Sequence, residues 1–202
     1  MKTLAEAFHH TLKDVYYAEN AILKAAPKVA KAVDHADLAA AIDAHVKETR
    51  EQVKLLDQIF ASIGETPAGE KCDAIEGLIK ECDGIVAEAE GVALNAGVIG
   101  ALQAIEHYEI ARYGTLREWA KELGNKKASD LLGRILDMEK AANNSLTGLA
   151  VTTVNEAPSR RAAKPKPAGK GKAKAEGDAA PKAKAPAKPK APARAKAAPK
   201  AK

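Results

Sequence analysis

Leu102-Gln103-Ala104-Ile105-Glu106-His107-Tyr108-Glu109-Ile110-Ala111-Arg112-Tyr113 is the stretch that decides the fold. Apolar residues recur through it at helical spacing: Ile99, Leu102, Ile105, Tyr113 and Leu116. The spacing predicts one long helix, from about Val92 to Leu123, stopped by Gly124-Asn125. Residues three and four apart share a helix face. Glu106 and Glu109 therefore fall on or beside the side to be buried. A buried carboxylate without a partner is expensive, so the rest of the chain must supply compensation or more of the same.

It supplies more of the same. A second helix is expected from about Thr3 to Val33, with Thr3 as N-cap and Glu6 three residues on, as in a capping box. Its stripe is Phe8, Leu12, Val15, Ile22, Ala26, Val29 and Val33, with Glu19 in the middle, and Pro27 marks a kink or local irregularity. A third runs from about Ala36 to Ser62 on Leu38, Ile42, Leu55 or Leu56 and Ile59, ended by Gly64. The centre of that stripe is polar: His45, Glu48 and Gln52. A fourth runs from about Lys127 to Thr152 on Leu132, Ile135, Leu146 and Leu149, with Glu139 on the same face. Along the chain, between the Ala36–Ser62 helix and the Val92–Leu123 helix, lie a loop over 65–71 and a shorter helix, about Asp73 to Glu90. That is where the crossover of a four-helix bundle sits. The fold class is all-α.

Five carboxylates, Glu19, Glu48, Glu106, Glu109 and Glu139, and the imidazole of His45 are thus expected in one mid-bundle layer. They would repel or stay protonated unless cations joined them. Carboxylate with imidazole suits iron or manganese, and two ions are the natural load. The competing reading is that any one of these glutamates is solvated. A one-residue shift in a helix boundary turns Glu48 or Glu109 towards water.

Several segments together resemble a known family. They are Asp14-Val15-Tyr16-Tyr17-Ala18-Glu19, His45-x-x-Glu48-Thr49, Lys71-Cys72-x-Ala74-x-x-Gly77-Leu78 and Glu106-His107-Tyr108-Glu109-Ile110-Ala111-x-Tyr113-Gly114. In order and spacing they are similar to the YciF-type proteins, the DUF892 family, over about residues 3–150. The resemblance implies a bacterial, stress-associated, ferritin-like antiparallel four-helix bundle, often a homodimer. It implies fold more firmly than activity. The chain departs from the wider ferritin-like pattern, in which Glu-x-x-His occurs on two helices. Here one helix has His45-x-x-Glu48, reversed, and another has Glu139-x-x-Ala142, with no histidine. One metal would lose its usual nitrogen ligand, which bears on oxidase, peroxidase or ferroxidase turnover more than on binding.

The remaining chemistry-bearing residues read more plainly. His107 points away from Glu106 and is expected to pack or support. His9 and His10 are surface or interface residues. Tyr16, Tyr17, Tyr108 and Tyr113 are core or interface aromatics, and Trp119 packs. Cys72 and Cys82 form no C-x-x-C pair and are expected as reduced thiols. No phosphate loop, nucleophile elbow or zinc-finger spacing is present. There is no signal-peptide core and no membrane-spanning run, so the expected location is cytoplasmic, without membrane association.

The net charge of +5 over 202 residues hides two opposite halves. Of the 32 basic and 27 acidic residues, fifteen basic and two acidic lie in 159–202, a net of +13; the 17 basic and 25 acidic residues of 1–158 give −8. The division expected is a bundle over 1–155 and a disordered Lys/Ala/Pro tail over 156–202, in which the seven prolines of 159–202 and like-charge repulsion prevent a packed core. The tail resembles those of linker histones. Its basic residues are Arg160, Arg161, Lys164, Lys166, Lys170, Lys172, Lys174, Lys182, Lys184, Lys188, Lys190, Arg194, Lys196, Lys200 and Lys202. They are expected to bind DNA or RNA phosphates without base readout, and the tail lacks the aromatics that stack on single strands. The alternatives are a solubilising tail or one that folds back on the acidic body. Two functions compete: a ferritin-like di-metal protein tethered to nucleic acid, and a non-enzymatic stress or nucleoid protein whose carboxylates are structural.

Overall fold

Helix ends follow local chemistry. In the computed structural model, which describes residues 1–155, Thr3 Oγ1 accepts a hydrogen bond from the Glu6 amide at 3.1 Å and opens α1, Leu4–Ala32. Helix α1 runs through the exposed Pro27. Helix α2 spans Ala36–Ser62, α3 Asp73–Glu88, α4 Gly91–Glu122 and α5 Lys126–Leu149, the last continuing into a π-helical turn over Ala150–Val154. Gly64 (φ 75°) ends α2, and Gly124 (φ 73°) ends α4 with the Asn125 amide donating to the Ala120 carbonyl. Asn125 then turns round and caps α5 through the Ala128 amide, a role its sequence position had not suggested. The described residues contain no strand. The basic tail, with every expectation attached to it, lies outside the described residues.

The packing of side chains fixes the topology. One apolar cluster joins the start of α1 (Phe8, Leu12, Val15), the end of α2 (Leu55, Leu56, Ile59, Phe60), the end of α4 (Tyr113, Leu116, Ala120) and the start of α5 (Leu132, Ile135). A second joins the opposite ends: Ala26, Val29 and Val33 of α1, Leu38 and Ile42 of α2, Val98 and Ile99 of α4, and Leu146 of α5. Helices α1 and α5 thus run one way and α2 and α4 the other. Every packed pair among α1–α2, α4–α5, α1–α4 and α2–α5 is antiparallel. The chain leaves α2 at one end and enters α4 at the other, and α3 makes that crossing, packed on α1 and α4. This is the ferritin-like bundle with its crossover helix.

Two anchors hold the ends. The Asn95 side chain accepts from the Asp34 and His35 amides at 3.3 Å each and donates to the Gly91 carbonyl at 2.9 Å, tying the α1–α2 turn to α4. At the other end the Asn125 amide nitrogen donates to Ser62 Oγ at 2.9 Å. Between the two apolar clusters lies a layer that is not hydrocarbon.

Candidate metal centre

Each helix of the bundle turns a polar side chain into that layer. Glu19 comes from α1, Gln52 from α2, Glu106 and Glu109 from α4 and Glu139 from α5, and all five are at most 2% exposed. His45 of α2 closes one side, largely buried. Two groupings have their donor atoms within 4.8 Å of one another: His45 with Glu106 and Glu139, and Glu19 with Glu109 and Glu139. Glu139 belongs to both, so the pair has the form of two cation positions sharing one carboxylate.

Few hydrogen bonds serve these groups. Gln52 Nε2 donates to Glu139 Oε1 at 2.7 Å. The Tyr113 hydroxyl donates to Glu19 Oε1. His45 Nδ1 lies 3.6 Å from Glu106 Oε1. With every carboxylate ionised, five buried carboxylate oxygens have no hydrogen-bond partner among the described residues: Glu19 Oε2, Glu106 Oε2, both oxygens of Glu109, and Glu139 Oε2; a proton on Glu139 would pair its carboxyl with that of Glu106. Gln52 Oε1 and His45 Nδ1 are also unpartnered. Buried polar atoms are ordinarily satisfied, and this concentration of lone pairs in one layer is what a cation takes up.

The electrostatics carry the same message. Burial pushes the Glu19 carboxyl up to about 8, against the opposing Tyr113 hydrogen bond. Burial raises Glu106 to about 7, and Glu139, which also meets the charges of Glu19 and Glu106, to about 11. Glu109 is raised well above the carboxylate range by burial and then by Glu19, Glu139 and Glu106. Burial lowers His45, favouring the neutral imidazole that ligates metal. Without cations the layer holds protons at neutral pH; with them the carboxylates can ionise.

Of the six residues expected in the layer, the structure brings Glu19, His45, Glu106, Glu109 and Glu139 together. Glu48 takes another place. Its side chain is 49% exposed and its Oε2 stands 4.0 Å from His45 Nδ1, at the rim. The reason is helical phase: α2 turns His45, Thr49 and Gln52 inward, and position 48 lies about a hundred degrees from 49. Gln52, in the polar centre of the same stripe, is a site residue that the carboxylate and imidazole pattern does not include. Tyr113 was read as a core aromatic; it is one, but its hydroxyl serves Glu19. The signal was its spacing, four residues beyond Glu109. His107 is exposed and bonds the Gln103 carbonyl at 2.7 Å, away from the layer. Cys72 and Cys82 are buried, free and elsewhere, Cys72 Sγ lying 3.0 Å from the Tyr108 hydroxyl. No described helix is long and apolar enough to cross a membrane.

The same fold occurs in known proteins. Protein YciF of Escherichia coli is 40% identical over 164 residues, 80% of this chain and 99% of that protein. The crystal structure of that E. coli stress protein matches with a TM-score of 0.74, covering 78% of this chain and 100% of the other. YcfI from Rhodopseudomonas palustris is 44% identical, with a TM-score of 0.70 over 72% of this chain and 94% of its own. A protein from Xanthomonas campestris, 19% identical, shares the fold with a TM-score of 0.62 over 79% of this chain and 99% of its own. Residues 3–158 match the family described as a domain of unknown function, DUF892. With four helices converging on one carboxylate layer and this match over most of its length, the chain belongs to the DUF892 family.

Proposed function

We propose that this protein is a ferritin-like stress protein whose bundle holds two ions of iron or manganese. The observation that carries the reading is the set of five unpartnered buried carboxylate oxygens. Glu19, Glu106, Glu109 and Glu139 together carry up to four negative charges in the core, which two divalent cations balance. The donor set is carboxylate and imidazole, with both cysteines outside it, and this suits iron or manganese rather than a thiophilic metal. Glu139 would bridge, His45 and Glu106 would complete one position, and Glu19 and Glu109 the other. Glu48, at the rim beside His45, is placed to swing in as a further ligand. When bound, such ions supply oxygen and peroxide chemistry; the chain's own contribution is to hold them in a layer sealed at both ends by hydrocarbon. Tyr113 orients Glu19, and Gln52 orients Glu139.

The E. coli relative is described as a stress protein, which fits protection from iron or peroxide. The reading extends to a cytoplasmic homodimer held at nucleic acid by the basic tail. Protein purified without chelator should contain about two equivalents of iron or manganese per chain, in line with the di-metal bundles. Glu19→Ala and Glu106→Ala should lower that content while helical content by circular dichroism stays nearly unchanged. Metal content equal to the parent in both variants sinks the metal reading.

A second reading has one observation of its own. Ala142 stands where ferritin-like sites have a histidine, and YcfI is provisionally described as a structural protein. On that reading the bound ions stabilise the bundle and turn nothing over. Stopped-flow mixing of Fe(II)-loaded protein with peroxide separates the two. Acceleration over free Fe(II), modest because a nitrogen ligand is missing, supports turnover; none leaves a structural centre.

A further inference from the structure

Beside the carboxylate layer lies a cavity of about 160 Å³. Its inner wall is apolar, built from Ile22, Ile42, Leu102, Ile105 and Leu146. Its mouth opens between α2 and α5, where Ala44, Ala141 and Ser145 are exposed. The polar end is formed by His45 and Glu106. Glu106 is 2% exposed and has an unpartnered oxygen, and His45 Nδ1 is unpartnered as well. Protein interiors are ordinarily packed with few voids larger than a water molecule. Here the void follows from sequence. Ala142, one turn along α5 from Glu139, lines the cavity together with Ala26, Ala41, Ala44 and Ala141, five short side chains that leave the space open.

The shape and lining select an occupant. A dry apolar cavity of about 150 Å³ accepts benzene, so this one has room for a molecule of that size. The apolar wall offers nothing to a sugar or a peptide. The Glu48 carboxylate at the rim opposes an anion. One end alone can meet a polar atom.

We propose that this cavity binds a small neutral apolar molecule of about the size of phenol, an aryl or short-alkyl alcohol or hydroperoxide, with its one oxygen function at the His45–Glu106 end. The inference rests on the metal-centre reading for what that oxygen would meet; filling of the apolar part does not depend on it.

The test uses phenol and toluene as probes against the full chain, in metal-free and manganese-loaded forms. Binding is followed by titration calorimetry and by NMR of labelled isoleucine and leucine methyls. The expected result is saturable binding of both probes, with shifts centred on Ile22, Ile42 and Leu102, and phenol favoured over toluene in the loaded form. Ala142→Leu should weaken both probes by about tenfold or more, equivalent to about 1.4 kcal/mol, without lowering manganese content. If that variant loses helical content, Ala41→Leu on the facing wall replaces it. Probe binding that is absent, or indifferent to whichever variant folds, overturns the cavity proposal even where manganese binds. Probe binding that is lost in the variant, in protein that takes up neither manganese nor iron, upholds the cavity and overturns the metal reading.

Discussion

Glu139 belongs to both groupings of buried donors, so on the di-metal proposal it would serve both ions. Replacing it with glutamine keeps a side chain for Gln52 to meet but removes the bridging charge. Glu139→Gln should therefore lose both ions, whereas Glu109→Gln should lose the ion of the Glu19 position first; metal analysis of the two variants checks the order. Glu19 and Glu106 make the centre sensitive to pH. Their carboxyls stand at about 8 and about 7 in the folded chain, against an ordinary 4.5. The folded state thus holds protons that the unfolded chain has released. The stabilisation is fully present below pH 4.5, declines as pH rises towards 7 and 8, and is gone above that. In the presence of a chelator, thermal melts from pH 5 to pH 9 should show the midpoint falling. Manganese should flatten or reverse that slope, because it requires the ionised carboxylates that the bare core resists. Tyr113→Phe, which leaves Glu19 Oε1 without its donor, should cost about 1–3 kcal/mol in denaturant melts of the metal-free protein.

At the scale of helices, the period of apolar residues was enough to place all five, with ends within a few residues of those observed. What it left open was rotation. In α1, α4 and α5 the acid interrupts an apolar stripe whose direction is fixed on both sides, so Glu19, Glu106 and Glu139 were legible as inward. In α2 the centre reads His45, Glu48, Gln52, and a turn of about a hundred degrees decides whether 48 or 49 faces the core. Thr49 is the residue that goes in, its hydroxyl returned to the His45 carbonyl at 3.0 Å, so it needs no partner across the layer. That self-satisfaction is invisible in a pattern of polar and apolar letters. Nor could spacing within one helix reveal Tyr113 to Glu19 or Gln52 to Glu139, which join residues 94 and 87 apart. The crossover helix offers a separate check. A Cβ at Gly97 of α4 would come within 2.8 Å of Ile85 Cγ2 in α3, on a β-branched side chain with little freedom to move. Gly97→Leu should destabilise by about 1–3 kcal/mol through overpacking. Ile85→Ala in the same protein should recover part of that loss, which a double-mutant cycle in urea would show.

On the scale of the whole chain, charge is divided sharply between residues 1–158 and 159–202. On the nucleic-acid proposal, the −8 of residues 1–158 should repel a duplex and the +13 of 159–202 should attract it. If about 6–10 tail charges meet phosphates, affinity should fall by about 10³–10⁵ between 50 and 200 mM salt. Gel-shift titrations of full-length and Pro158-truncated protein on unrelated duplexes test this; equal affinity, or indifference to salt, would show that the tail is no tether. Within the bundle, the carboxylate layer has a mechanical meaning as well. Four helices cross it unbroken, and it lies between the Leu12–Phe60–Leu132 end and the Val29–Leu38–Val98 end, with a third apolar cluster of Ala18, Ile22, Ile75 and Ile105 on the α3 side. On the di-metal proposal, ions there would act as rivets between the two ends. With the rivets out, amide exchange should report two opening energies, one for each end. With manganese in, it should report one, so the ions decide whether the chain melts as a single cooperative body or as two.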